Sequence, residues 1–183
     1  MVEHFGTLPA LDDVDGIVSL GGEESVLDGG LEAEASLMRE AVASDVPVLG
    51  VCLGAQLLAH ALGGTVLRRP RRLVAWTPLV GEWDGAHGLH WNEDGFEPPP
   101  GAVEVLERPD GFAEAFRVGC SLGLQFHPEV DEPALDGWYA AWGEVLEPAG
   151  VSEADARAAD ARHLPGQAAL SEAIFGAFSR RLR

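Results

Sequence analysis

Three side chains in this sequence have the types and the spacing for nucleophilic chemistry. Cys52 lies in Gly50-Val51-Cys52-Leu53-Gly54, a Gly-x-nucleophile-x-Gly pattern with a thiol at its centre. Such a pattern turns a strand sharply into a helix, so the neighbours of the nucleophile must be small. At the head of a helix the dipole and the free N–H groups favour a thiolate, and the Leu53 N–H points at a developing oxyanion. A thiol nucleophile needs a base, and the base needs an orienting acceptor. His127-Pro128-Glu129 offers both types. In an extended chain residues i and i+2 face the same way, so His127 and Glu129 address the same surroundings. Taken singly, each motif has a plain alternative: a small buried Cys between a strand and a helix, or a structural His. Together they favour catalysis.

The elements that must position these residues are legible around them. Val46–Val51 is a short apolar run rich in valine, which reads as a fully buried strand. Leu53–Leu62 is apolar and Ala-rich and reads as a helix ended by Gly63-Gly64. Asp15–Gly22 reads as a second buried strand. Its closing pair, Gly21-Gly22, allows close backbone approach by a ligand at the strand's C-terminal edge, where open α/β sheets bind. Leu31–Ser44 places Leu31, Ala35, Met38 and Val42 on one helical face. Strand, helix, strand, helix in that order predicts a parallel sheet with helices on its faces. In the stretch Leu122–Val130 a strand delivers His127, and Pro128 stops it.

Between these stretches, Leu73–Val80 reads as a strand and Gly81–Gly88 as a loop. Ala102–Leu106 and Ala113–Val118 read as a hairpin-like pair. Arg68-Arg69-Pro70-Arg71-Arg72 reads as a solvated loop, with an anion or acidic partner as the alternative. The tail is helical: Pro133–Leu146, a helix capped by Ser152, and Gln167–Leu182 with Leu170, Ile174, Phe178 and Leu182 on one stripe. Its final Arg180, Arg181 and Arg183 complement the helix dipole. His163 reads as a surface residue.

Composition narrows the function classes. The 183 residues suffice for one domain, 1–183, with a substantial core. The net charge of −18 makes nucleic acid and anionic membranes poor partners. All 12 basic residues are Arg, which excludes Schiff-base chemistry and a P-loop lysine. Cys52 and Cys120 are the only cysteines, so there is no disulfide framework and a reducing cytoplasm is expected. No Cys/His spacing suggests a zinc site, no apolar run is long enough to span a membrane, and no cofactor is expected.

Gly21-Gly22, Gly50-Val-Cys52-Leu-Gly54-Ala-Gln56 and His127-Pro128-Glu129, taken together, resemble the class I glutamine amidotransferase family, with the stand-alone type and the glutaminase domain of GMP synthase the most similar. The resemblance runs from about Asp15 to about Glu132. It implies an open, mostly parallel sheet flanked by helices, flavodoxin-like in character. It implies that Cys52 attacks the side-chain carboxamide of glutamine, that His127 serves as base and then acid, and that Glu129 orients His127. It further implies an oxyanion hole from the N–H groups of Gly22 and Leu53, and substrate contacts from Gly21 and Gln56. The ammonia would pass to a separate synthase subunit. A γ-glutamyl hydrolase acting on a γ-glutamyl compound with water, and a catalytically silent binding or regulatory subunit, are the alternatives. Two positions depart from the family pattern: Glu23 stands where Pro is frequent, and Trp91-Asn92-Glu93-Asp94 stands where Trp-His-x-Asp is frequent. Both bear on the substrate more than on the chemistry. Relatives also carry a strand and helix ahead of the region of Val2–Phe5. Met1–Gly6 is too short for that unit, which predicts a missing opening strand and an exposed sheet edge.

Overall fold

The apolar runs that flank the cysteine become the centre of a sheet. A computed structural model describes residues 8–107 and 111–182, so the expectation for Met1–Gly6 lies outside the described residues, as does Arg183. In chain order the elements are β1 (Ile17–Ser19), α1 (Glu32–Ala43), β2 (Val48–Val51), α2 (Leu53–Ala61), β3 (Thr65–Pro78), β4 (His87–Glu97), β5 (Val103–Glu107), β6 (Ala113–Val118), β7 (Ser121–Leu124), α3 (Glu132–Trp142), α4 (Glu153–His163) and α5 (Gln167–Ser179). The main sheet runs β1-β2-β7-β6-β5. β2 is buried at every position, as a strand with parallel neighbours on both sides requires. It pairs in parallel with β1 (Ser19 opposite Gly50) and with β7 (Val51 opposite Leu124). β6 and β5 continue the sheet in antiparallel register. The result is an open α/β sheet of flavodoxin-like character, parallel through the strands that carry the candidate site.

The described residues group into two compact units. The first holds residues up to 68, 94–125 and from 178. Its core joins Met38 and Ala41 of α1, Val48 of β2, Leu58 of α2, and Phe96 and Phe116, whose rings meet edge to face at 5.3 Å. Asp15–Gly22 is not the buried strand expected: β1 covers only Ile17–Ser19, and Val18 and Leu20 are about half exposed (47% and 50%). The second unit holds residues 69–93 and 126–177. Its core is built from Val74, Leu89, Val130, Leu135, Tyr139, Leu146 and Ala156.

Several expectations need correction. Arg68–Arg72 is not a solvated loop but the middle of β3, which pairs with β4 in a two-stranded sheet. Acidic residues on β4 meet the charge: Arg68 Nε lies 2.7 Å from Asp94 and Arg72 donates to Glu93 at 2.8 Å. Arg69 is buried. Pro70 is tolerated because a two-stranded ribbon has free edges. The loop expected over Gly81–Gly88 is a short 3-10 turn at Gly81–Trp83, and β4 has begun by His87. The helix expected to reach Leu146 stops at Trp142 and continues as a 3-10 turn, Gly143–Val145. α5 ends at Ser179, so Arg180 and Arg181 follow the helix rather than cap its last turn, and Leu182 leaves the buried stripe at 43% exposure. His163 is half-buried, stacked on the His87 ring at 4.1 Å.

Candidate active site

Cys52 sits between β2 and α2 with φ 53° and ψ −108°, a region that a residue bearing a Cβ rarely adopts. Its backbone is held from both ends. The Cys52 N–H donates to the Leu124 carbonyl at 2.7 Å, and the Cys52 carbonyl accepts from the N–H groups of Ala55 and Gln56 at 3.0 Å each. The two glycines answer to space. A Cβ on Gly50 would lie 2.5 Å from the Gly54 carbonyl oxygen, and one on Gly54 would strike the Ser19 carbonyl of β1. Strand and helix therefore approach so closely at the turn that only glycine fits either position. Cys52 is buried, 7% exposed. Leu53 opens α2, so its N–H has no partner within the helix. Gly22 is its neighbour: a Cβ there would come 3.0 Å from Leu53 Cδ2. The structure thus brings Cys52, Leu53 and Gly22 to one turn of the first unit, with Gly21 and Gly22 exposed.

Gln56 stands one turn into α2, 3% exposed. Its Nε2 donates to the Asp94 carbonyl at 3.0 Å and to Gln125 Oε1 at 3.3 Å. Those bonds engage both amide hydrogens, which leaves its Oε1 as the atom for any substrate contact. Asp94 is buried and also ties down the loop that follows Gly22: Ser25 Oγ donates to Asp94 Oδ2 at 2.5 Å while accepting the Leu27 N–H at 3.1 Å. Arg68 supplies the countercharge. Local sequence gave no sign of this network, because Ser25 and Asp94 are 69 positions apart.

His127 and Glu129 belong to the second unit, and the structure does bring them together: Nδ1 of His127 lies 2.7 Å from Glu129 Oε1. His127 is 4% exposed. Its N–H donates to the Leu89 carbonyl at 2.9 Å, and its carbonyl accepts from Gln167 Nε2 at 2.8 Å. The imidazole meets Trp138 edge to face, with ring centroids 4.8 Å apart. Behind Trp138 the aromatic packing continues through Trp91 to Tyr139. Asp160 anchors that end, accepting from Tyr139 Oη at 2.5 Å and from Trp76 Nε1 at 2.7 Å. Burial first, then the bond to Asp160, pushes the Tyr139 hydroxyl well above its ordinary value. Gln167 and Trp138 went unremarked in the sequence, where a Gln at a helix start and a Trp in an amphipathic helix carry no motif.

Among the described residues, no group of three or more His, Cys, Asp or Glu is placed to hold a metal ion, and no helix is long and apolar enough to cross a membrane. The first unit holds a buried cysteine on strained backbone at a helix head, and the second an imidazole hydrogen-bonded to a carboxylate.

Residues 3–137 match the family model described as glutamine amidotransferase class-I. A GMP synthase [glutamine-hydrolyzing] of Pyrobaculum aerophilum is 33% identical over 129 residues, which cover 65% of this chain and 25% of that protein. The chain therefore spans about a quarter of the length of this relative. Among solved structures, a glutamine amido transferase from Methylobacillus flagellatus superposes with a TM-score of 0.84 at 28% identity, over 97% of this chain and 81% of that one. A glutamine amidotransferase from Thermotoga maritima gives 0.81 at 25% identity, over 94% of this chain and 80% of that one.

Proposed function

This chain belongs to the class I glutamine amidotransferase family, and from that premise we propose that it hydrolyses the side-chain amide of glutamine through Cys52, His127 and Glu129. The observation that carries the reading is the left-handed backbone of Cys52, wedged between two glycines that no other residue can replace without a clash. Strain of this kind at the head of a helix suits a nucleophile that must be presented to substrate.

In this reading His127 takes the thiol proton, and the Cys52 sulfur attacks the carboxamide carbon. The carbonyl oxygen becomes an oxyanion that the N–H groups of Gly22 and Leu53 stabilise. The imidazolium then gives its proton to the departing nitrogen, which leaves as ammonia, and a thioester remains. Water, deprotonated by His127, attacks the thioester and releases glutamate and the free thiol. Glu129 holds the imidazole in register and stabilises its charged form. The reading requires His127 to reach the sulfur of Cys52. It assigns Gly21 and Gln56 to the bound glutamine, and a separate synthase subunit to the ammonia.

The test is glutamate release from glutamine by Cys52→Ala and Cys120→Ala. Cys120 is half-buried at the β6–β7 turn, with no glycine elbow around it. Cys52→Ala is expected to lose about four orders of magnitude or more, and Cys120→Ala to stay near the parent rate. Equal losses from both substitutions would remove Cys52 from the mechanism.

A further inference from the structure

The base of this mechanism is held from a direction that the triad does not explain. Pro128 follows His127 and has no N–H, and β7 has ended at Leu124, so the ladder has stopped before the His127 carbonyl. That carbonyl is met instead by a side chain forty positions away: Gln167, the first residue of α5, donates Nε2 to it at 2.8 Å. Gln167 is itself 3% exposed. The orientation of its amide is fixed by chemistry, because a carbonyl oxygen accepts only from a donor, so the nitrogen must face His127. The amide oxygen is then turned elsewhere in the interior and has no hydrogen-bond partner among the described residues. Burying an amide with its oxygen unpaired carries a cost, and the bond to the His127 carbonyl is what that cost secures. Such violations of local economy concentrate where a site demands them.

We propose that Gln167 is a positioning residue for His127: by clamping the His127 carbonyl it fixes the backbone from which the imidazole reaches Glu129. The inference rests on the reading of His127 as the base, and adds the residue that holds that base in place. The Leu89 carbonyl secures the N–H side of His127 and Gln167 the carbonyl side. Glu129 sets the rotation of the ring, and the edge of Trp138 limits its tilt. Without the Gln167 donor, the His127 carbonyl loses its hydrogen bond, and the backbone that carries the imidazole is held from the N–H side alone. The 2.7 Å contact between Nδ1 and Glu129 then loosens although neither residue has changed.

Gln167→Met keeps the length of the side chain and removes the donor. Two readouts follow in the full chain. The first is the pH titration of the His127 imidazole by 15N NMR without substrate, in the parent, Gln167→Met and Glu129→Gln. The Gln167→Met midpoint is expected to move in the same direction as that of Glu129→Gln. The second is glutamine hydrolysis, where kcat is expected to fall about tenfold to a hundredfold while KM stays within about twofold, as loss of transition-state geometry requires. A parent chain without glutaminase activity would count against the proposed function and leave the titration readout intact. A Gln167→Met chain that folds cooperatively and titrates like the parent would overturn the positioning role. Should Gln167→Met fail to fold, the parent chain decides: a scalar coupling across the hydrogen bond from Gln167 Nε2 to the His127 carbonyl is expected, and its absence overturns the proposal.

Discussion

Gly54→Ala tests the packing that shapes the turn at Cys52, and a second glycine supplies its control. Gly54 and Gly137 both lie in helices, α2 and α3. Replacing a helical Gly by Ala gains about 0.5–1 kcal/mol from backbone entropy at either site. The surroundings differ. Nothing lies within 4 Å of a Cβ placed on Gly137. A Cβ on Gly54 would strike the Ser19 carbonyl oxygen, with the Ser19 carbonyl carbon at 2.7 Å and Oγ at 2.8 Å. Two of these three atoms are backbone of β1, which is locked to β2 and cannot rotate away. Overpacking costs about 1–3 kcal/mol, and contacts with rigid backbone put Gly54 at the upper end. Gly54→Ala therefore nets about 2 kcal/mol of destabilisation, against a gain of up to about 1 kcal/mol for Gly137→Ala. The gap of about 3 kcal/mol corresponds to about 6–12 °C in Tm for a chain of this size. The assay is thermal unfolding of both variants beside the parent, followed by glutamate release from the folded fraction. Relief of the clash moves β1 away from α2, which disturbs Leu53 and Cys52, so activity is expected to fall at least about tenfold. Variants that shift Tm together, with Gly54→Ala fully active, would refute the reasoning.

Two further outcomes follow. His127→Ala is expected to lose more glutaminase activity than Glu129→Ala, by about tenfold or more, because the carboxylate positions and stabilises while the imidazole moves the proton; steady-state rates on both variants check it, and a fully active Glu129→Ala would remove Glu129 from the site. The His163 imidazole is held below its ordinary value by burial first, and then by the charges of His87 and Arg162. The folded state thus resists a proton that the unfolded chain accepts, so the contribution is intact above the ordinary value of 6.5 and is lost as pH falls through the lowered one. His163→Phe, which keeps a ring against His87 and Trp76, is expected to flatten the acid side of the stability curve in urea unfolding; an unchanged slope would contradict it.

The elements nearest the chemistry were the most legible, and the reason is local. Val48–Val51 is apolar at all but its glycine, and a strand buried on both faces needs that composition. A Cβ on Gly50 would meet the Gly54 carbonyl, so a window of five residues holds that half of the steric requirement; the other half, Gly54 against Ser19 of β1, is set by the fold. β3 was illegible for the opposite reason. Five residues of Arg and Pro look like a solvated loop until their acidic partners are known, and Glu93 and Asp94 lie on a different element. Charge runs are read as exposed because lone charges resist burial. A partnered run escapes that rule, and pairing across strands leaves no periodic trace in either segment.

The same distinction separates the residues proposed to react from those that hold them. A nucleophile and its base announce themselves by type, since few side chains can do their work. A positioning group is chosen only for a donor or acceptor at the correct point in space, and a Gln, Ser or Asp serves equally well anywhere. Gln167 reaches His127 across 40 positions, Ser25 reaches Asp94 across 69, and Trp76 reaches Asp160 across 84. Each of these bonds is made by a side chain that is buried or half-buried, and Gln167, Ser25, Asp94 and Asp160 are all buried. Burial raises the cost of an unmet polar group, so such residues persist only where the partner is held firmly. That requirement works in both directions. A backbone carbonyl at His127 that fixes Gln167 is also fixed by it, which makes the loss of a residue far from the reacting atoms measurable at the imidazole.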